Sequence, residues 1–425
     1  MSSIVHGTVP EHKGSTRVPP LTDNQSLAIE LTPVTGGLKL AVGIGDSHRE
    51  WPRTIPFSVI DALDAVVRKR LEDVSKRFGP TLKGDPDRAA EGLKGLYDIG
   101  REIWGAILGE PHEFIDWIDE KLRFCPHPIR SEIVTPPDVR LPLAIMPVRL
   151  SGEAATLEYR HCLPAFRGPV RHVMLKSMSQ DSSLFGSRAL PFLLLQHSEA
   201  PYVSQARAVL DTLQTQGHAS VTGPYPIYGG PQTEDEIADL LVAPPTVAFG
   251  EHVSMPTQVV HVHAHAVVAR DAASGPTLQF AYKRRLRVYP LTIMYSHLNS
   301  ASDRAHVRRK ELSKAGAPLE DRSRGPLAFL SACGAADQHD GAFGLVRHFL
   351  AAGYRGVIGP WISIPGHVAN EIAEYFYERL FSESRRPVGL ALYEARDRLL
   401  AECFNPLGAL FALYGNDELQ VGTRN

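Results

Sequence analysis

The stretch TQVVHVHAHAVV (257–268) is apolar at every position from Val259 to Val268 except His261, His263 and His265. It is short, rich in β-branched residues and free of Gly and Pro inside the run, which predicts a strand. Alternate residues of a strand share a face, so the three imidazoles fall on one side and Val260, Val262 and Ala264 on the other. Three imidazoles on one face suit metal ligation, a catalytic base with two neighbours, or buried polar groups with hydrogen-bond partners.

The surrounding chain alternates strands and helices. PFLLLQ (191–196) is a continuous apolar run, as expected of a strand buried on both faces in a parallel sheet. YVSQARAVLDTLQTQG (202–217) sets Val203, Ala206, Leu210 and Leu213 on one helical face and stops at Gly217. Thr233 and Glu236 have the spacing of a capping box ahead of IADLL (237–241). LQFAYKRRLRVYPL (278–291) has a hairpin pattern, PLAFLSAC (326–333) and YRGVIGPW (354–361) read as strands, and GAFGLVRHFLAAG (341–353) as a helix. Two further helices, about 366–381 and 388–402, precede a last strand in LGALFALYG (407–415). Such alternation implies an α/β fold, a mostly parallel sheet flanked by helices on both faces. No internal repeat is present.

The N-terminal part is less regular. Residues 1–25, rich in Ser, Thr, Pro and Gly, are expected to form a disordered tail. SLAIELTPVTGGLKLAVGIG (26–45) predicts two strands around a Gly-Gly turn, and 57–121 has helical periodicity. SEIVTPPDVRLPLAIMPVRL (131–150) predicts strands bracketing a Pro-Pro-Asp turn, and SMSQDSSLFGSRALP (177–191) a linker. The expected division is a mixed α/β domain at 26–186, regulatory or pseudo-peptidase-like, and a second domain at 187–425.

At 425 residues, 43% hydrophobic and with a net charge of -2, the chain has ample core and no global field favouring nucleic acid or an anionic membrane. Apolar runs such as LPLAIMPV (141–148) are far shorter than the roughly 20 residues that span a bilayer. The first twenty residues have no basic stretch leading into an apolar one, so no secretory signal is expected and the cytoplasm is the expected location. The four cysteines, Cys125, Cys162, Cys333 and Cys403, form no CxxC pair, which argues against thiolate zinc frameworks and a disulfide scaffold. Burial as small hydrophobes is the ordinary expectation for each.

In open α/β sheets, sites lie beyond the carboxyl ends of the strands. Two predicted strands end in reactive groups, one at His265 and one at Cys333. If these strands are neighbours, a histidine could generate the thiolate of a nucleophilic cysteine. A metal site built from His261, His263 and His265 is the competing reading, with Asp271 or His297 available as a further ligand.

Residues 187–421 resemble the CHAT family of caspase-like cysteine peptidases, relatives of separase. The family carries an apolar strand ending in an "hhHxxxHG"-like motif, then LSAC some 50–80 residues later. VVHVHAHA (259–266) aligns His265 with the catalytic histidine and His261 with the earlier one, and LSAC (330–333) makes Cys333 the nucleophile. FLAAGYRGVIGPW (349–361), FYERL (376–380) with ALYEAR (391–396), and FALYGNDELQV (411–421) recur in family order. SEIVTPPDVRLPLAIMPV (131–148) is similar to a segment that precedes many such domains. The resemblance implies a caspase-like sheet, a His265–Cys333 dyad, and an oxyanion hole of the Ala266 and Cys333 backbone N–H groups. No cofactor or catalytic metal is implied. The implied partners are a protein substrate and an activating protein, and the implied role is a triggered effector in bacterial defence or cell death, with a catalytically weak pseudo-peptidase acting as a regulatory or interaction module the alternative. Two departures stand out: Ala266 replaces the family glycine, and CGA follows where the family has CET. Alanine keeps the amide donor but is strained if the site needs positive φ.

Between the dyad members, residues 266–332 hold twelve Lys/Arg and five acids, a net +7. Solvated loops explain this, and an acidic partner surface or a cleavable loop between the His and Cys halves are the sharper readings; the segment has no stacking-aromatic pattern with the charges that would mark nucleic-acid binding. Trp361 is a candidate lining residue of a specificity pocket, or a packed core residue. Asp337 and Asp340 are candidates for an acidic pocket taking a basic side chain.

Overall fold

A computed structural model describes residues 26–109, 112–123, 125, 128–136, 139, 141–149, 159–173, 183–186, 189–197, 202–225, 233–242, 244–249, 253–268, 276–281, 286–288, 325–332, 345–346, 348–350 and 352–423. The expected N-terminal tail and most of the basic 266–332 segment lie outside these residues.

Local signals set the elements much as the patterning predicts. β1 (Ser26–Val34) and β2 (Gly37–Ile44) pair antiparallel across a turn in which Gly36 adopts φ 84°, a conformation that costs glycine nothing. β3 (Ser47–Glu50) and β4 (Ile55–Pro56) extend this edge along β2. Three helices follow, α1 (Phe57–Phe78), α2 (Pro86–Leu108) and α3 (His112–Leu122). Asp85 caps α2 by accepting the Arg88 amide at 2.8 Å, with Pro86 occupying the first turn, where its missing N–H costs nothing. Next come β5 (Arg130–Val134), the single turn α4 (Tyr159–Cys162) and β6 (Val170–Val173).

The second half opens with β7 (Ser183–Gly186), β8 (Leu190–Gln196), α5 (Val203–Thr215), β9 (Ala219–Tyr225) and α6 (Glu234–Val242). The capping box ahead of α6 is present: Glu236 accepts the Thr233 amide at 2.8 Å, and Thr233 Oγ1 accepts that of Glu236 at 3.3 Å. A separate hairpin, β10 (Thr246–Phe249) with β11 (Val253–Pro256), precedes β12 (Val259–Val268), the histidine strand. β13 (Pro276–Ala281) and β14 (Leu286–Val288) form the predicted hairpin. β15 (Leu327–Ala332), β16 (Gly356–Pro360), α7 (Gly366–Leu380), α8 (Val388–Cys403), β17 (Phe411–Gly415) and β18 (Gln420–Thr423) complete the chain.

Among the described residues fourteen strands share one sheet, ordered β14-β13-β12-β15-β16-β17-β6-β5-β1-β2-β3, with β4 on β2 and with β8 and β9 joining beside β12. Its centre, β9-β8-β12-β15-β16, is parallel throughout. β17 runs antiparallel to β16 because two helices, α7 and α8, intervene; a second helical traverse returns the chain to the opposite end. Helices cover both faces. Val259, Phe329, Phe192 and Leu194 share a core with α5, α7 and α8, whereas Val260, Val262, Ala328 and Leu330 pack with α6 and with Leu345, Val346 and Phe349. The fold class is therefore the expected α/β with a large, mostly parallel sheet. Among the described residues no helix is long and apolar enough to cross a membrane.

Three expectations need correction. LPLAIMPV is not a strand: its centre, Leu143–Ile145, is a turn of 3-10 helix, and the run is buried. Pro142 and Pro147 lack the amides a ladder needs. The stretch taken for a linker contains β7, paired in parallel with β18 and with Leu184 fully buried. Cys162 and Cys403 are buried hydrophobes as expected, with burial raising the thiol pKa of Cys162 to about 11, but Cys125 is only partly buried.

Candidate active site

Across β8, β12 and β15 the register aligns side chains in rows on the face toward α5 and α7. Phe192, Val259 and Leu327 form an apolar row; Leu194, His261 and Phe329 form the next; Gln196, His263 and Ser331 form a third. All nine are buried. The face thus changes from apolar to polar toward the carboxyl ends of the strands, where α/β sites lie. Gln196 Nε2 donates to the Val203 carbonyl at 2.8 Å, but Gln196 Oε1 and Ser331 Oγ have no hydrogen-bond partner among the described residues. Sequence reading passed over both, although each is the polar residue closing an apolar run.

His261 is held by neighbours that lie far away in sequence. Its Nδ1 is 2.9 Å from Tyr377 Oη on α7, and its ring stacks on Phe329 with centroids 5.5 Å apart and planes 3° from parallel. Burial, with a smaller contribution from His263, pushes its pKa down to about 3, so the ring is neutral at physiological pH. Burial raises that of Tyr377 well above the usual phenol range, which keeps the hydroxyl protonated. His263 is equally buried, and its carbonyl accepts the His197 amide at 2.7 Å. Both rings are thus buried within the packed rows of the sheet.

β12 outruns β8, and its last four residues pair with β13, His265 opposite Gln279 and Ala266 opposite Leu278. On the other side the ladder with β15 runs to Ala264 opposite Ala332. His265 and Cys333 are the next residues of the two chains. Cys333, Asp337 and Asp340 lie outside the described residues, as do Asp271 and His297. Ala266 lies within the extended strand and is not among the non-glycine residues with positive φ, which among the described residues are Tyr202, Arg385 and Phe404.

Trp361 follows β16 directly and is half-buried. Its amide donates to the Leu410 carbonyl at 2.8 Å, and its ring meets His172 edge-on at 5.4 Å and Tyr414 at 6.1 Å. Packing therefore accounts for one side of this ring. Among the described residues no group of three or more His, Cys, Asp or Glu is placed to hold a metal ion.

Two chains from crystal structures of the Saccharomyces cerevisiae separase–securin complex align over 95% and 94% of this chain, at 10% and 11% identity and TM-scores of 0.40. This chain spans 30% of the length of each. No curated protein matches significantly. The CHAT domain profile matches residues 154–407, more than half of the sequence, so the chain belongs to the CHAT-domain family.

Proposed function

We propose that the chain is a caspase-like cysteine endopeptidase in which His265 is the base and Cys333 the nucleophile. The observation that carries this reading is the parallel register of β12 and β15, which sets Ala264 beside Ala332 and leaves His265 and Cys333 as the next residue of each chain. Backbone direction supports the oxyanion assignment. The His263 carbonyl faces β8, since it accepts the His197 amide beyond the end of that strand. Backbone groups alternate sides along a strand, so the amide of Ala266, three residues on, faces the β15 side. Its place in an extended strand also removes the strain argument against alanine there.

In the reaction, the Cys333 thiol gives its proton to His265 and the thiolate attacks the scissile carbonyl carbon. The amides of Ala266 and Cys333 hold the resulting oxyanion. Collapse breaks the C–N bond, the leaving amine takes the proton from His265, and a thioester remains on Cys333. Water, deprotonated by His265, then attacks the thioester, releasing the acid and restoring the thiol. Trp361 lines the substrate cleft, and Asp337 contributes to a pocket for a basic side chain. The substrate is a protein, and the peptidase acts in the cytoplasm as an effector switched on by a partner protein in a defence or death pathway.

The test is thiol reactivity together with proteolysis. A His-paired thiol holds more thiolate than a buried one, so iodoacetamide at neutral pH should label Cys333 well before Cys162 and Cys403, and labelling should abolish cleavage. Cys333→Ala should be inactive but folded. Equal, slow labelling of all four cysteines, or proteolysis by Cys333→Ala, would sink the assignment.

A further inference from the structure

Between α5 and α7 runs a groove of about 350 Å³ that the peptidase reading does not use. Its floor is apolar, made by Leu82, Val209 and Leu213. One wall is α7, which presents Glu371, Glu374 and Glu378 within two helical turns. Glu378 pairs with Arg398 outside the groove, but Glu374 makes no ion pair among the described residues. Burial and repulsion from Glu371 and Glu378 raise the pKa of Glu374, against a smaller opposing effect of Arg398. A second, independent feature marks the same groove. Asn370 lines it and is 4% exposed; its Nδ2 donates to the Tyr202 carbonyl at 3.0 Å, while its Oδ1 is buried with no hydrogen-bond partner among the described residues. A buried acceptor left unmade is costly, and a cationic donor would satisfy it.

We propose that this groove is a docking site for a Lys- or Arg-bearing segment of a protein partner, with one basic side chain reaching Asn370 and Glu374 and apolar neighbours resting on the floor. Size and anatomy decide the occupant. The cavity is too narrow to enclose a helix, whose diameter is about 10–12 Å, but it accepts long side chains inserted from a segment lying across its mouth. An apolar centre with a polar rim, here Gln205, Thr212 and Gln216 together with the acids, is the anatomy of a protein interface. Tyr377, which also lines the groove, carries the hydroxyl bonded to His261, so an occupant bears on a helix that holds β12 in place. The proposal is independent of the peptidase reading.

The test measures fluorescence anisotropy of the full chain with a labelled peptide of three Lys-Leu-Ala-Lys repeats and with its Glu-for-Lys counterpart. The basic peptide should bind and the acidic one should not. Glu371→Gln with Glu374→Gln should weaken binding at least tenfold at an unchanged melting temperature, whereas neutralising the remote exposed pair Glu50 and Asp61 should leave it intact. Cys333→Ala should bind as the unaltered chain does. Failure of the basic peptide to bind, equal loss in the two neutralised pairs, or equally tight binding of spermidine would overturn the proposal, the last by showing a small-cation site.

Discussion

At the scale of single residues, the three histidines of β12 are chemically alike in sequence, and the packing around His261 and His263 shows what holds two of them. His261 is fixed by Tyr377 and Phe329, and His263 is buried in the row that joins Gln196 and Ser331. Replacing either by alanine removes a buried ring, and in His261 also its contacts with Tyr377 and Phe329, and should cost about 1–3 kcal/mol of stability, while the molecules that remain folded still cleave. His265→Ala should leave stability nearly unchanged and lower cleavage by orders of magnitude, because the thiol loses its base. Urea unfolding and protease assays on the three variants separate these outcomes; equal loss of activity in all three would favour the metal reading instead. Acid sensitivity is also set at this scale. His261 and His172 both have pKa values pushed down to about 3, chiefly by burial, against an ordinary value of 6.5. As pH falls below 6.5 the unfolded chain takes up these protons and the folded chain does not, so stability is present at neutral pH and lost between about pH 6.5 and 3. Each histidine should cost about 2 kcal/mol between pH 7 and pH 5. His172→Phe, which keeps a ring between Trp361 and Tyr414, should remove its share of that slope in urea unfolding at the two pH values. An unchanged slope would show that His172 titrates normally in the fold.

At the scale of elements, the docking of α2 on the run Leu141–Val148 shows what close packing demands. A Cβ on Gly100 would lie 2.1 Å from the Ile145 carbonyl oxygen and 2.7 Å from Pro147 Cδ. Four residues on, Trp104 Nε1 donates to the Pro147 carbonyl at 2.8 Å. Gly100→Ala must therefore push backbone aside and should destabilise by about 1–3 kcal/mol, despite alanine's better helix propensity. A melting temperature equal to that of the unaltered chain would mean the loop yields freely. The same contact explains why the run misleads when read alone. Its hydrophobicity is real, but the helix that buries it lies some forty residues upstream, and only Pro142 and Pro147 argue locally against a strand. β9 escaped notice for the opposite reason, since Gly223 and Pro224 interrupt it, and an edge strand tolerates both. By contrast, PFLLLQ and PLAFLSAC are legible because strands buried on both faces need unbroken apolar runs. The Thr233–Glu236 box is legible because both partners sit within one turn. The site divides likewise: His265 and Cys333 stand out at strand ends, whereas Tyr377, 116 residues from His261, and the unpartnered oxygen of Asn370 become visible only once α7 is in place.

At the scale of the whole molecule, the sheet does not stop where the sequence suggests a domain boundary. β6 of the N-terminal part pairs with β17 of the C-terminal part, Leu413 opposite Arg171 and Tyr414 opposite His172. Asp417, 4% exposed, receives Arg130 through two bonds of 2.9 and 2.8 Å and Arg171 at 3.2 Å. Asn405 Nδ2 donates to the Leu82 carbonyl at 3.2 Å, and Ser75 Oγ donates to that of Ser363 at 2.8 Å, tying α1 to the segment that leads into α7. One hydrophobic core runs from Leu27 to Leu419. Separate domains exchange few buried contacts; this arrangement couples the two parts through main chain, ion pairs and core at once. The two parts should therefore unfold in a single transition, and the placement of the tryptophans makes this measurable. Three of the four, Trp51, Trp104 and Trp117, lie in the N-terminal part, and Trp361 alone lies in the other. Tryptophan fluorescence thus reports mainly on residues 26–186, while far-UV circular dichroism reports on all helices and strands. Coincident urea midpoints from the two probes are expected. Asp417→Ala, which removes the buried carboxylate that Arg130 and Arg171 share at the junction, should lower both midpoints together. A fluorescence transition that precedes the loss of circular dichroism would instead make residues 26–186 a separate cooperative unit, and their role at the active site would then be that of an appended regulator rather than of a shared scaffold.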